Sequence, residues 1–157
     1  MSATNVRRLL IVAVVLVLGA VNWSIFAKER IKTSGERIYL ALAPVDPRSL
    51  MQGDYMALRF EIADRIDPKA SGTAPLLVES NGVVTLNPDP NAGGLRIRFR
   101  VRKGLVWLGT NAYFFEEGTA ERYVGARYGE FRIDRASGEA VLVGLADKDL
   151  KTLGSQP

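Results

Sequence analysis

The sequence contains no cysteine and no histidine. The first absence rules out disulfides, thiol nucleophiles and cysteine-bound metal, and it leaves the compartment open, since exported domains can also lack disulfides. The second removes the commonest general base, the commonest zinc ligand and the side chain that titrates near neutral pH. Any catalysis falls to Ser, Thr, Lys, Tyr, Asp or Glu. Charge of one sign is not concentrated either. The 21 Lys and Arg face 17 Asp and Glu, for a net charge of +4. Two of the basic residues, Arg7 and Arg8, precede a long apolar run, so the rest of the chain is close to balanced. That is unlike the clustered basic charge of a dedicated nucleic-acid binder, and no nucleic-acid partner is expected. Carboxylate-only calcium sites are open in principle. No Asp-x-Asp-x-Asn-Gly loop occurs, however, and Asn87–Asn91, NPDPN, is a proline-rich turn. Neither a metal nor a cofactor is expected.

What is present begins with one hydrophobic run, Leu9 to Phe26, of 18 residues without a charge. As a helix it rises about 27 Å, close to the roughly 30 Å of a bilayer's hydrocarbon. Trp23 falls near its far end, at the level of an interfacial aromatic. A cleaved signal peptide is the alternative. The run exceeds the usual 7–15 residue signal core, and Ile25 is too bulky for a good cleavage site before Lys28. Residues 1–27 are therefore read as an uncleaved single-pass anchor and residues 28–157 as one domain. Flanking charge does not orient it: Arg7 and Arg8 stand against Lys28, Arg30, Lys32 and Arg37, the latter softened by Glu29 and Glu36.

The remainder reads as short strands. Glu36–Val45 alternates Ile38, Leu40 and Leu42 against Tyr39, Ala41 and Ala43, and Pro44 and Pro47 end it. A strand is expected over Asp54–Ile62, then a loop through ADRIDPKASGTAP. Leu76–Leu86 carries Asn81-Gly82 between two β-rich runs, a hairpin signal. Further strands are expected at Leu95–Arg102 and Asn111–Glu117, a short helix within Ala120–Gly129, and a closing hairpin over Phe131–Leu145. The polar tail KDLKTLGSQP is expected to fray. Strands this short and closely spaced predict a mainly β fold, a small antiparallel sandwich or barrel-like domain with one short helix, preceded by one transmembrane helix.

One segment calls for explanation. Asp46-Pro47-Arg48-Ser49 has turn chemistry, with proline fixing φ at its second position. Gly53 then permits a positive φ or a bulge where the chain re-enters the sheet. Asp54 can accept from backbone N–H groups or pair with Arg48. Tyr55, Ala57 and Arg59 share one face of the strand; Met56, Leu58 and Phe60 share the other. A turn plus bulge that sets register accounts for the pattern structurally.

The stretch Gly53-Asp54-Tyr55-Met56-Ala57-Leu58-Arg59-Phe60 resembles the motif of the GDYXXLXY family of membrane-anchored bacterial proteins, with Phe60 where the family has tyrosine. PVDPRSLMQGDY (Pro44–Tyr55), FFEEG (Phe114–Gly118), ARYGEFRI (Ala126–Ile133) and AVLVGLADKDL (Ala140–Leu150) are similar to its other blocks. The resemblance implies one N-terminal helix and one domain outside the bacterial inner membrane, on the periplasmic side. It also implies the company of multi-pass membrane proteins. A packing role at the last motif position survives the change to Phe60; a role for a hydroxyl there does not.

Two sharper readings remain. A membrane-bound hydrolase resembling the Ser/Lys signal peptidases would use Ser49 as nucleophile and a neutral Lys103 as base. The peptidases' proline-threonine spacer and later Gly-Asp-Asn-Arg segment are both missing, and Ser49 beside a proline turn is more simply a turn hydroxyl. An anionic-ligand or partner surface would use Arg96, Arg98, Arg100 and Arg102, which line one face of a strand whose other face is Leu95, Ile97, Phe99 and Val101. The ladder spans about 20 Å. Interleaved acids are expected across from it, from among Glu61, Glu116, Glu117 and Glu130. A second polar cluster is Tyr128, Glu130 and Arg132; if Asp54 packs against that strand, the four would form one network. The reading favoured is a membrane-anchored, non-enzymatic interaction domain that assembles with an integral membrane protein.

Overall fold

The computed structural model describes residues 3–43, 51–52, 55–69, 72–91 and 93–154. Asp46, Arg48, Ser49, Gly53 and Asp54 lie outside the described residues. The first element is α1, Ala3–Ser34. It is long and apolar enough to cross a membrane, and the rest of the chain buries none of its apolar span. The helix runs past residue 27, so the expected boundary between anchor and domain falls inside a continuous helix. Ile31 is buried against the domain. Gly35 alone separates α1 from β1, Glu36–Ala41. A Cβ at Gly35 would meet the Ile31 carbonyl oxygen at 2.5 Å and the Arg132 Cβ at 3.1 Å, so only glycine lets the helix pass so close to the sheet.

The other strands are β2 (Met51–Gln52), β3 (Tyr55–Ala57), β4 (Gly72–Val78), β5 (Val83–Leu86), β6 (Arg96–Arg102) and β7 (Leu105–Trp107), then β8 (Ala112–Phe114), β9 (Tyr128–Ile133), β10 (Ala140–Ala146) and β11 (Thr152–Leu153). Eight form one sheet in the order β11-β10-β9-β1-β5-β4-β6-β7, and β2-β3-β8 form a second. The mainly β fold is as expected. The large sheet is mixed, however, because β1 and β5 run parallel while every other pair is antiparallel. It curls without closing. A backbone bond from Arg98 N–H in β6 to the Gly138 carbonyl, in the turn between β9 and β10, spans the two halves at 2.6 Å, where a barrel would have a ladder.

Central position explains β1. With β9 on one side and β5 on the other, it buries Ile38, Tyr39 and Leu40 in succession, so both its faces are covered. The Asn81-Gly82 hairpin is present, with Leu76 opposite Leu86 and Gly82 at φ +85°. So is the closing hairpin of β9 and β10.

Several expectations are corrected. The strand foreseen over Asp54–Ile62 stops early. After β3 only Phe60 bridges to Leu42, and a helix, α2 (Glu61–Arg65), replaces strand and loop. Ile62 and Ile66, one helical turn apart, are both buried, and burying them together outweighs the β preference of the run. The foreseen helix after Ala120 is a single 3-10 turn, Ala120–Tyr123. β7 was not foreseen. It follows a two-residue hairpin turn in which Lys103 and Gly104 both have positive φ, 51° and 76°. The tail does not fray where it is described: β11 pairs with β10, and Gly154 packs directly against the Tyr123 hydroxyl.

Candidate functional site

The motif segment is built into the core from one end. Met56, Leu58 and Phe60 are buried, as their shared face predicts, and Phe60 is 1% exposed. Its ring meets Phe131 edge-on at 5.3 Å between centroids. It also covers Gly129, where a Cβ would lie 2.8 Å from Phe60 Cε1 and 3.0 Å from Phe131 Cε2. Phe60 therefore packs, and the glycine of ARYGEFRI is what makes room for it. The other face of β3 carries Tyr55, whose ring lies 5.7 Å from that of Phe114, opposite it in β8. Phe114 is 71% exposed, while its neighbour Phe115 turns inward and stacks on Tyr123 at 5.1 Å. Arg59 donates to Asp64 at the start of α2.

On β9 the polar residues divide among different partners, and the proposed link to Asp54 lies outside the described residues. Glu130 is buried, and its carboxylate pairs with Arg37 Nε at 3.2 Å and accepts from Thr152 Oγ1 at 2.9 Å. Arg132 donates instead to the Gly35 carbonyl at 3.2 Å, clamping the junction with α1. Register explains the split, because Arg37 faces Arg132 across the β1–β9 ladder and Tyr39 faces Glu130. Tyr128 lies at the other end of β9, opposite Ala41.

The arginine ladder also divides. Arg96 is partly buried and donates to Thr73 Oγ1 at 2.9 Å and to the Thr73 and Pro90 carbonyls at 3.1 Å. Arg98, Arg100 and Arg102 are exposed. The acids expected opposite them are not there. Arg98 faces Thr73, Arg100 faces Trp107 and Arg102 faces Leu105. Among the described residues none of the three forms an ion pair within 4.0 Å. The carboxylates were misplaced because β6 pairs with β4 and β7, which carry no acids in the paired region. Arg102 lies over the Trp107 ring, 5.5 Å from its centroid. Together with Lys28, Gly109, Thr110, Glu139 and Ala140 these residues line a cavity of about 210 Å³. Lys28, on α1, pairs with Glu139. Sequence reasoning missed Lys28, Trp107 and Glu139. The Lys103-Gly104 turn is a local signal for Trp107, which it folds back across from Arg100; Lys28 and Glu139 come from distant segments.

Lys103 sits at the tip of that turn with its side chain in water. A Ser/Lys dyad needs its lysine inside a cleft within reach of the serine, and Lys103 is exposed on a hairpin tip. Among the described residues no cluster of three or more carboxylates could hold a metal ion. The phenol with a displaced pKa is Tyr113, raised to about 12 first by burial and then by its hydrogen bond and proximity to Tyr123.

Sequence comparison decides the family. A family model described as GDYXXLXY protein matches residues 17–145. The chain belongs to the GDYXXLXY family. The match starts inside α1 and ends in β10, so it spans helix and domain together. No curated protein and no solved structure matches the chain.

Proposed function

We propose that this member of the GDYXXLXY family is a membrane-anchored accessory module without catalytic activity, which assembles with a multi-pass membrane protein. Its β domain would stand on the periplasmic face of a bacterial inner membrane. The observation that carries this reading is Phe114. A large aromatic side chain, 71% exposed and propped by the motif's Tyr55, is costly to leave in water and is the kind of anchor that protein interfaces bury. The uncovered apolar face of α1 supports attachment to the bilayer, where a partner's helices would also lie. The exposed setting of Lys103 disfavours the alternative in which it serves Ser49 as a buried base.

The test is to solubilise the full-length protein from its own membrane in mild detergent and identify what accompanies it. A stoichiometric multi-pass protein is expected, and Phe114→Ser should lose it while keeping the wild-type unfolding midpoint. Ser49→Ala should leave the association intact. A wild-type protein that emerges alone and monodisperse would sink the accessory reading. Full retention of the partner by Phe114→Ser would move the contact elsewhere.

A further inference from the structure

The cavity beside α1 has a chemistry and a depth that together specify a ligand. Three guanidinium groups, Arg98, Arg100 and Arg102, project at its wall from alternate positions of β6, without a carboxylate partner among the described residues. Three like charges at this spacing repel one another, and an anion placed among them relieves that repulsion while accepting charge-assisted hydrogen bonds. The one acid in the lining, Glu139, is already neutralised by Lys28. Trp107, which also lines the cavity, has an indole N–H that is buried and lacks an acceptor among the described residues.

Depth follows from the helix. Lys28 directly follows Ala27 and is two residues beyond Phe26, so it stands about 3 Å past Phe26 along the axis. A headgroup layer is roughly 5–7 Å thick on each side of the hydrocarbon, so Lys28 stands within it when α1 spans the bilayer. The joint is stiff. Ile31 is buried, Gly35 is the only residue between helix and strand, and Arg132 bonds across it. With α1 across the bilayer, the side of the cavity lined by Lys28 then falls near the level of lipid phosphates.

We propose that Arg98, Arg100 and Arg102, with Trp107 beside them, form a site for a phosphate group, supplied by the headgroup of an anionic phospholipid in the adjacent leaflet. Guanidinium forks suit phosphate oxygens, and a tryptophan at this depth suits the interface. The proposal rests on α1 being a membrane anchor, but not on the identity of any protein partner.

Trp23 and Trp107 are the only tryptophans, so Trp23→Phe leaves Trp107 as a sole reporter. The full-length Trp23→Phe protein would be placed in nanodiscs of phosphatidylcholine with increasing phosphatidylglycerol, and in detergent with inorganic phosphate. A saturable change in Trp107 fluorescence with phosphatidylglycerol is expected. It should weaken about fivefold for Arg98→Gln and again for Arg100→Gln, and shrink as salt is raised. An equal response to millimolar inorganic phosphate would support the phosphate site and overturn the lipid as its source. Protein that enters the discs but gives the same signal with and without phosphatidylglycerol, and none with phosphate, overturns the site. Protein that fails to enter the discs at all overturns the anchor instead, so the two failures are told apart.

Discussion

At the scale of single residues, the family's motif is a packing device on one face and a presented surface on the other. Phe60 and Gly129 are complementary: the ring occupies the space a side chain at 129 would need. Gly129→Ala would force Phe60, Phe131 or Leu142 to shift. Such overpacking costs about 1–3 kcal/mol, and a lower urea midpoint would show it. An unchanged midpoint would mean the contact is looser than described. Tyr113 offers a second check. Its neutral form is favoured by the fold, with a pKa near 12 against an ordinary value of 10. Between those values the folded chain keeps a proton that the unfolded chain releases. Its contribution to stability is whole below pH 10 and drains away as pH rises toward 12. Absorbance titration of the phenolate would locate the value. Tyr123→Phe should bring it only part of the way down, because burial is the larger cause. Complete normalisation would reverse that ranking.

At the scale of elements, two connections hold the sheet's edge. β11 ties the C-terminal segment to β10, and its Thr152 joins Arg37 in partnering the buried Glu130 carboxylate. Thr152→Val keeps the shape and removes the donor. A buried charge that loses a hydrogen bond costs about 1–3 kcal/mol, which thermal or urea unfolding would register. No change would mean that water replaces the hydroxyl. In the β9–β10 hairpin, Asp134 accepts from the Ser137 N–H at 2.7 Å and its hydroxyl at 2.9 Å. These bonds hold the Asp134 carboxyl below its usual range. A lowered folded pKa adds stability that is present above the unfolded value and is lost as pH falls through the folded one. Ser137→Ala should therefore raise the Asp134 pKa in an NMR titration and lessen the hairpin's sensitivity to acid. A carboxyl that titrates unchanged would leave the lowering to the Ser137 and Ala136 backbone bonds and the charge of Arg30.

At the scale of the molecule, the helix and the domain are joined by side-chain contacts as well as by the chain. α1 enters β1 through Gly35, and Lys28, Ile31 and Arg132 lock the junction. Full-length protein is expected to resist alkaline carbonate extraction from membranes. Release into the soluble fraction would contradict the anchor. A short Gly-Ser insertion after Ser34 should leave the protein in the membrane but free the domain from its fixed height. It should therefore blunt the phosphatidylglycerol response of Trp107. An undiminished response would mean that tethering alone brings the arginines to the headgroups.

The sequence by itself determined what depends on neighbouring residues. The apolar run, the Asn81-Gly82 turn, the closing hairpin, the buried face of Met56, Leu58 and Phe60, and the family blocks all announce themselves through spacing or local backbone preference. Contacts between distant segments were decided only in the tertiary structure. Helix α2 replaced a strand because Ile62 and Ile66 had a core to enter. The short β11 formed because β10 offered an edge. Glu130 found Arg37 and Thr152 rather than Arg132, through the register of β1 against β9 and the return of the tail. The arginines of β6 were left without acids in the paired region because their neighbours proved to be β4 and β7, and Lys28 reached their cavity from the N-terminal helix. Strand order and register arise from burying many surfaces at once, and no short stretch of sequence carries that information.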